Sequence, residues 1–131
     1  MKTLIVEDDF TSRLVLQEFL NPYGSSHIAV NGTEAVEAVR TALEAGEPYN
    51  LVCLDIMMPE MDGQTALKRI RDLEEARGIL STKGVKIMMT TALHDVKNIV
   101  GAFSGMCDAY LIKPIDRTKM LDEMRKLKLI E

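Results

Sequence analysis

Several apolar segments of this sequence end in side chains that can bind a metal ion or contact a phosphoryl group. Carboxylate oxygens are ligands that Mg²⁺ prefers, and a carboxylate can also attack phosphorus to form an acyl phosphate. Lysine ammonium and threonine hydroxyl groups can donate hydrogen bonds to phosphoryl oxygens. The candidates are Glu7, Asp8 and Asp9 near the start of the chain, Asp55 in the middle, and Thr90, Thr91 and Lys113 farther on.

Each candidate residue also has a simpler structural interpretation. An acidic triplet such as residues 7–9 can begin a helix, where negative charge is favourable. Asp55 can turn the chain into the following loop, Thr91 can be an ordinary strand residue, and Lys113 can be a surface lysine. These interpretations suffice for any one residue, but carboxylates, a hydroxyl and a lysine at one edge together favour a magnesium and phosphoryl site.

The elements that must position these side chains alternate along the chain. Short apolar strands are predicted at 3–7, 27–30, 51–55, 85–91 and 109–112, and helical spacing of apolar residues follows each strand, at 15–20, 36–43, 67–73, 96–103 and 120–127. Strands that are apolar along their whole length are covered on both faces, which predicts a parallel sheet with helices on each side. The carboxyl ends of such strands meet at one edge, where ligands bind.

Length, charge and cysteine content narrow the class of protein. At 131 residues we expect one domain that uses the whole chain, and the net charge of −4 argues against nucleic acid as a partner. The beginning of the sequence does not resemble a signal peptide, and no apolar stretch approaches the roughly 20 residues of a membrane span. Cys53 and Cys107 lie in apolar runs and are interpreted as buried free thiols, which favours a cytoplasmic protein.

Four ordered segments, LIVEDD, LDIMMPEMDG, MMTTA and AYLIKPID, together resemble the receiver domain of two-component response regulators. The resemblance extends over essentially all 131 residues. It implies a flavodoxin-like fold, with a doubly wound five-stranded parallel sheet in the order 2-1-3-4-5 and five flanking helices. It also implies that residues 1–131 form a stand-alone receiver domain without an output domain.

The resemblance assigns the phosphoryl chemistry to named residues. Asp55 becomes the phosphoacceptor, and Thr91 and Lys113 become the ligands of the phosphoryl group. The Lys113–Pro114 peptide bond is expected to be cis. Tyr110 becomes a switch residue that responds, through Thr91, to phosphorylation and alters the surface formed by the fourth helix, the fifth strand and the fifth helix.

The resemblance also implies an Mg²⁺ site. Asp8, Asp55 and the backbone carbonyl of Met57 are expected to bind the metal directly, and Glu7 through a water molecule. Receiver domains have a pair of acidic residues at the metal site, which is assigned here to Glu7 and Asp8. The alternative, in which Asp8 and Asp9 form this acidic pair, stays open. Met57 and Leu93 occupy two positions that influence how long the phosphoryl group survives in this family; because both are apolar, slow self-hydrolysis is expected.

The function implied is that of a signalling switch, which catalyses only its own phosphorylation and dephosphorylation and is not otherwise an enzyme. Its phosphodonor would be a histidine kinase, a histidine phosphotransfer protein or a small molecule, and its output a downstream target protein. A monomer or weak dimer is expected, with no insertion into a membrane. The alternative within the family is a phosphorelay carrier that passes the group to a histidine phosphotransfer protein.

Two other classes share some of these features. A phosphohydrolase with an aspartate nucleophile, as in the haloacid dehalogenase superfamily, would need a second acid two residues after Asp55, where this chain has Met57. A flavodoxin-like cofactor binder would need a small, hydroxyl-rich phosphate loop after the first strand. Residues 7–9 are acidic and would repel a phosphate, so the switch is favoured over both.

Overall fold

The strands form one parallel sheet in a computed structural model that describes residues 1–58, 61–80, 83–92 and 106–131. The strand order is β2-β1-β3-β4-β5, and every neighbouring pair is parallel. The strands are β1 (Lys2–Val6), β2 (Ser25–Ala29), β3 (Leu51–Asp55), β4 (Lys86–Thr91) and β5 (Ala109–Ile112). The predicted parallel sheet and its order 2-1-3-4-5 are therefore confirmed.

Helices connect the strands on both faces of the sheet. They are α1 (Phe10–Leu20), continued by a short 3-10 helix (Asn21–Tyr23), α2 (Gly32–Glu44), α3 (Gly63–Ala76) and α4 (Arg117–Lys126). The fourth helix predicted at 96–103 lies outside the described residues, as does Leu93, so α4 corresponds to the predicted fifth helix. Among the described residues, no helix is long and apolar enough to span a membrane.

An aspartate or asparagine begins each of these α-helices. The capping residues are Asp9, Asn31, Asp62 and Asp116, and each side chain accepts the backbone N–H three residues farther on, at 2.8–2.9 Å. Such a cap satisfies a backbone donor that has no partner within the helix. The capping of α1 by Asp9 matters for the candidate site, because Asp9 is adjacent to two of its acidic residues.

The two faces of the sheet carry separate apolar clusters. Leu4, Val6, Val52 and others pack against α2 and α3 on one face. Ile5, Cys53 and others pack against α1 and α4 on the opposite face. Because side chains alternate along a strand, Glu7 and Asp55 continue the face of Ile5 and Cys53, so both are directed to the side of α1 and α4.

The strand register aligns the carboxyl ends of the central strands. Val6 pairs with Leu54, and Asp55 pairs with Thr90. Thr91 then pairs with Ile112, the residue before Lys113. The peptide bond between Lys113 and Pro114 is cis, as the resemblance implied. The carboxyl edge therefore gathers the ends of β1, β3, β4 and β5, as the sequence predicted.

Candidate functional site

Three carboxylates meet at the carboxyl edge of the sheet. Glu7, Asp8 and Asp55 each have one oxygen within 4.8 Å of the others. Glu7 and Asp55 are buried and Asp8 is exposed. Like charges this close repel unless a cation lies among them. Three hard oxygen donors, one of them open to solvent, fit Mg²⁺, which takes one or two carboxylates and keeps several waters.

Lys113 supplies a positive charge to this cluster. Its Nζ donates to Glu7 Oε1 at 2.8 Å and lies 3.2 Å from Asp55 Oδ1. Burial opposes the charge of the lysine, but the hydrogen bond to Glu7 and the charge of Asp55 outweigh burial and raise the pKa of Lys113. The side chain is therefore an ammonium group at neutral pH, placed against the predicted phosphoacceptor.

Glu7 has competing influences on its charge. Burial, followed by the nearby Asp55 carboxylate, raises the pKa of Glu7, while the hydrogen bonds from Lys113 and from the Asp9 backbone N–H act in the opposite direction. The net direction is upward, so Glu7 takes up a proton more readily than an exposed glutamate. A bound cation would favour its charged form.

Asp9 belongs to helix α1 rather than to the cluster. Its Oδ2 accepts from Ser12 N at 2.8 Å and from Ser12 Oγ at 2.7 Å, and these hydrogen bonds lower the pKa of Asp9. Arg13 holds the preceding loop, because its Nη1 donates to the carbonyl oxygens of Glu7 and Asp8 at 3.2 and 3.1 Å. This arrangement favours Glu7 and Asp8 as the acidic pair.

The backbone around Asp55 is held on two sides. Ile56 N donates to Thr90 O at 3.2 Å, and Gly63 N donates to Ile56 O at 2.9 Å. A Cβ at Gly63 would collide with the backbone carbonyl oxygen of Asp55, so only glycine lets α3 approach this closely. Met57 N lies 3.3 Å from Asp55 Oδ1, and its side chain is exposed. The role predicted for the Met57 carbonyl stays a prediction.

The two predicted switch residues lie at the end of β4 and in β5. Thr91 is buried, and its hydroxyl donates to the Ala92 carbonyl oxygen at 3.1 Å. The Thr91 carbonyl accepts from Lys113 N at 2.7 Å, which joins the ends of the two strands. Tyr110 is 40% exposed. The backbone of Thr91 is thus hydrogen-bonded to Lys113, which follows β5, while the Thr91 hydroxyl is hydrogen-bonded to the adjacent residue.

Thr90 was predicted to end a strand and had no chemical role assigned, yet this residue lies next to the site. Thr90 is 2% exposed, pairs with Asp55 and lines a cavity of about 320 Å³ together with Glu7 and Lys113. Side-chain alternation and the strand order together could have predicted that Thr90 lies next to Asp55, because paired residues of parallel strands share a face. Thr91 was assigned to the phosphoryl group instead of Thr90 because the resemblance implies that role for Thr91.

A five-stranded parallel sheet with an acidic cluster and a lysine at its carboxyl edge is typical of receiver domains. The chain belongs to the response regulator receiver domain family, which matches residues 3–125. The osmosensing histidine protein kinase SLN1 of Saccharomyces cerevisiae is 35% identical over 123 residues. That match covers 92% of this chain but 9% of SLN1, so the chain spans a small part of this relative.

Solved structures share the fold over nearly the whole chain. The receiver domain of Saccharomyces cerevisiae Ssk1, crystallised with the histidine phosphotransfer protein Ypd1, is 28% identical with a TM-score of 0.80, covering 97% of this chain and 88% of that one. The receiver domain of the sensor histidine kinase PA1611 from Pseudomonas aeruginosa, with magnesium coordinated in its active-site cleft, is 25% identical with a TM-score of 0.76, covering 97% of both chains.

Proposed function

We propose that this protein is a phosphorylation-dependent signalling switch whose phosphoacceptor is Asp55. A carboxylate oxygen of Asp55 forms a bond to phosphorus while the bond from phosphorus to the imidazole nitrogen of a phosphohistidine breaks, and that nitrogen keeps the electron pair. The observation that carries the proposal is the Lys113 ammonium 3.2 Å from Asp55 within the acidic cluster. Phosphoryl transfer depends on such positioning and charge neutralisation.

The residues of the chain have distinct tasks in this proposal. Asp55 is held by the hydrogen bonds of its neighbours, so its carboxylate is oriented before the donor arrives. Lys113 exchanges a contact with Asp55 or Glu7 for one with a phosphoryl oxygen. Thr91 turns its hydroxyl from the Ala92 carbonyl toward the same group. These exchanges need only side-chain rotation, since a hydroxyl and an ammonium each have rotatable donors.

The acidic cluster is proposed as the magnesium site. Asp8, Asp55 and the Met57 carbonyl would hold the ion directly, and Glu7 through a water molecule. When bound, Mg²⁺ neutralises negative charge on the phosphoryl oxygens. Support comes from the three carboxylate oxygens within 4.8 Å and from the magnesium in the cleft of the PA1611 receiver domain.

The proposed output is a change in the surface of β5 and α4 that a target protein recognises. Tyr110 and Ile112 are partly exposed there, next to charged residues of α4 such as Lys119 and Asp122. The phosphodonor is proposed to be a histidine kinase or a histidine phosphotransfer protein. The Ssk1 receiver domain in complex with Ypd1 supports a donor of that kind.

A phosphorelay carrier is the second candidate, and the surface of α1 favours it. Phe10, Leu14 and Val15 are 64%, 49% and 36% exposed, so α1 presents an apolar patch near the site. Leu16 and Leu20 of the same helix are buried in the core, so these three side chains belong to its outer surface. Because Val15 lines the cavity that Glu7 and Lys113 also line, this patch suits the docking of a protein that exchanges a phosphoryl group with Asp55.

The test is the intact mass after incubation with Mg²⁺ and acetyl phosphate. Wild type should gain one phosphoryl group and Asp55→Asn none. Asp62→Asn is the matched control, because Asp62 caps α3 and asparagine also caps helices, so it should behave as wild type. A wild type that gains no phosphate from acetyl phosphate or from a phosphorylated histidine phosphotransfer protein would contradict the proposal. Return of the group to that protein would identify a carrier.

A further inference from the structure

Thr90 is a buried hydroxyl residue beside the proposed phosphoacceptor. It pairs in register with Asp55, so the two side chains leave the same face of the sheet on strands about 4.8 Å apart. Three residues that precede it in β4, Ile87, Met88 and Met89, are apolar and fully buried. Packing alone would be served equally well by valine at this position, which has the same shape without the hydroxyl.

Thr90 lines a cavity next to the acidic cluster. Within the part of the chain that the structure describes, no hydrogen bond to the Thr90 hydroxyl is found, in contrast to the Thr91 hydroxyl. The cavity has apolar walls that include Val15 and Ile115, while Glu7 and Lys113 line it together with Thr90. Among the described residues no fully buried side-chain oxygen lacks a hydrogen-bond partner, so the Thr90 hydroxyl is accessible and can bond a water or a side chain in this cavity.

Lys113 is the neighbour that can use this hydroxyl. An ammonium has three N–H donors, and among the described residues its side-chain partners are Glu7 and Asp55. We propose that Thr90 is a positioning residue for Lys113: its hydroxyl oxygen accepts the third N–H, directly or through one cavity water. The ammonium thereby keeps its place beside Asp55 while it exchanges a carboxylate for a phosphoryl oxygen. This inference rests on the proposed function.

The experiment measures the rate of Asp55 phosphorylation over a range of acetyl phosphate concentrations at fixed Mg²⁺. Thr90→Val removes the hydroxyl and keeps the shape, and Thr90→Ser keeps the hydroxyl. Thr3→Val is the matched control, because Thr3 is also buried, in β1, on the same face but at the opposite end of the sheet. Thermal unfolding of each variant accompanies the rates.

Thr90→Val should lower the maximal rate about tenfold, the factor expected for one hydrogen bond to a charged group. The acetyl phosphate concentration at half-maximal rate should change less than twofold, since the hydroxyl acts on Lys113 and not on the donor. Thr90→Ser and Thr3→Val should stay within twofold of wild type.

Three results would overturn the inference. A Thr90→Val protein as fast as wild type would show that the hydroxyl is not used, and a Thr90→Ser protein as slow as Thr90→Val would assign the effect to packing of the methyl group. An equal loss in Thr3→Val would indicate a general effect of altering the sheet. A wild type that takes no phosphate would instead refute the proposed function, and this inference with it.

Discussion

Asp8 and Asp9 are adjacent acidic residues with different surroundings. Asp8 is exposed and contributes an oxygen to the acidic cluster. Asp9 is also exposed, but its Oδ2 accepts two hydrogen bonds from Ser12 in the first turn of α1. Removal of the Asp8 side chain would therefore take away a proposed metal ligand, whereas removal of the Asp9 side chain would take away a helix cap.

This difference predicts that one alanine variant loses Mg²⁺ affinity and that the other loses stability. Asp8→Ala should weaken Mg²⁺ binding about tenfold or more, equivalent to about 1.4 kcal/mol, because a charged oxygen ligand is lost. Asp9→Ala should leave Mg²⁺ affinity within twofold but lower the unfolding temperature, since α1 loses its cap. Calorimetric titration with Mg²⁺ and thermal unfolding measure both. The reverse ranking for Mg²⁺ would make Asp8 and Asp9 the acidic pair.

At this scale, the apolar runs predicted the last residues of β3, β4 and β5, whereas β1 and β2 each end one residue earlier than predicted. The sequence left the acidic register open, since a one-residue shift within 7–9 preserves composition and charge. The structure favours one register through a local contact, the Ser12 hydrogen bonds of Asp9. Strand propensity also could not distinguish Thr90 from Thr91, whose surroundings depend on the register with β3.

At the scale of the elements, a charged network joins α3 to the strands that follow it. Arg71 Nη1 donates to Glu74 Oε1 and to the Val85 carbonyl, both at 2.8 Å. Its Nη2 donates to Asp108 Oδ2 at 3.0 Å, and its Nε to the Met106 carbonyl at 2.8 Å. The network connects α3 with the residues that precede β4 and β5, at the edge of the sheet opposite the candidate site.

Removing this arginine should destabilise the fold without affecting the site. Arg71→Met leaves Glu74 buried without its cation, and loss of one partner of a buried pair costs about 3–5 kcal/mol. Arg69→Met is the matched control on the same helix, because Arg69 is exposed, and should change the free energy of unfolding by less than about 0.5 kcal/mol. Urea unfolding measures both. Equal stability of the two variants would mean that the network contributes nothing.

No sequence pattern indicates such a network, because Arg71 and Asp108 are 37 positions apart and charged residues on a helix are usually solvated.

The start of strand β2 was also not predictable from its sequence. The strand was predicted at 27–30 from its apolar residues, but Ser25 and Ser26 begin it by pairing with Lys2 and Thr3 of β1. Backbone pairing at a sheet edge leaves no apolar signal.

At the scale of the whole molecule, the proposed signal must travel from Asp55 to the surface of β5 and α4. Thr91 and Tyr110 lie along that route, on strands that are hydrogen-bonded neighbours. A phosphoryl group that Thr91 contacts would bias two existing arrangements of Tyr110. Moving a 1:99 mixture to 99:1 takes about 5.5 kcal/mol, and one or two hydrogen bonds of roughly 1–3 kcal/mol each give only a partial shift.

The prediction compares wild type and Thr91→Ala with and without beryllofluoride, a mimic of the phosphoryl group. Both proteins should bind the mimic in the presence of Mg²⁺. In wild type the NMR signals of residues 106–126 should move, and in Thr91→Ala the change should be smaller, because the hydroxyl that couples the site to Tyr110 is absent. If Thr91→Ala binds the mimic and its signals move as far as those of wild type, the signal follows another route.

The hydrogen bond between Glu7 and Lys113 joins positions 106 apart. Ribosomes make the chain from its amino end, so the acidic residues and Asp55 are synthesised long before the lysine that neutralises them. A nascent chain has its carboxylates but lacks the ammonium until strand β5 and the residue after it have emerged. Contacts of such long separation also form late in folding, because loop closure must precede them. A partial chain that stops before Lys113 therefore lacks the cation that pairs with Glu7 and Asp55, and under the proposed function it could not accept phosphate.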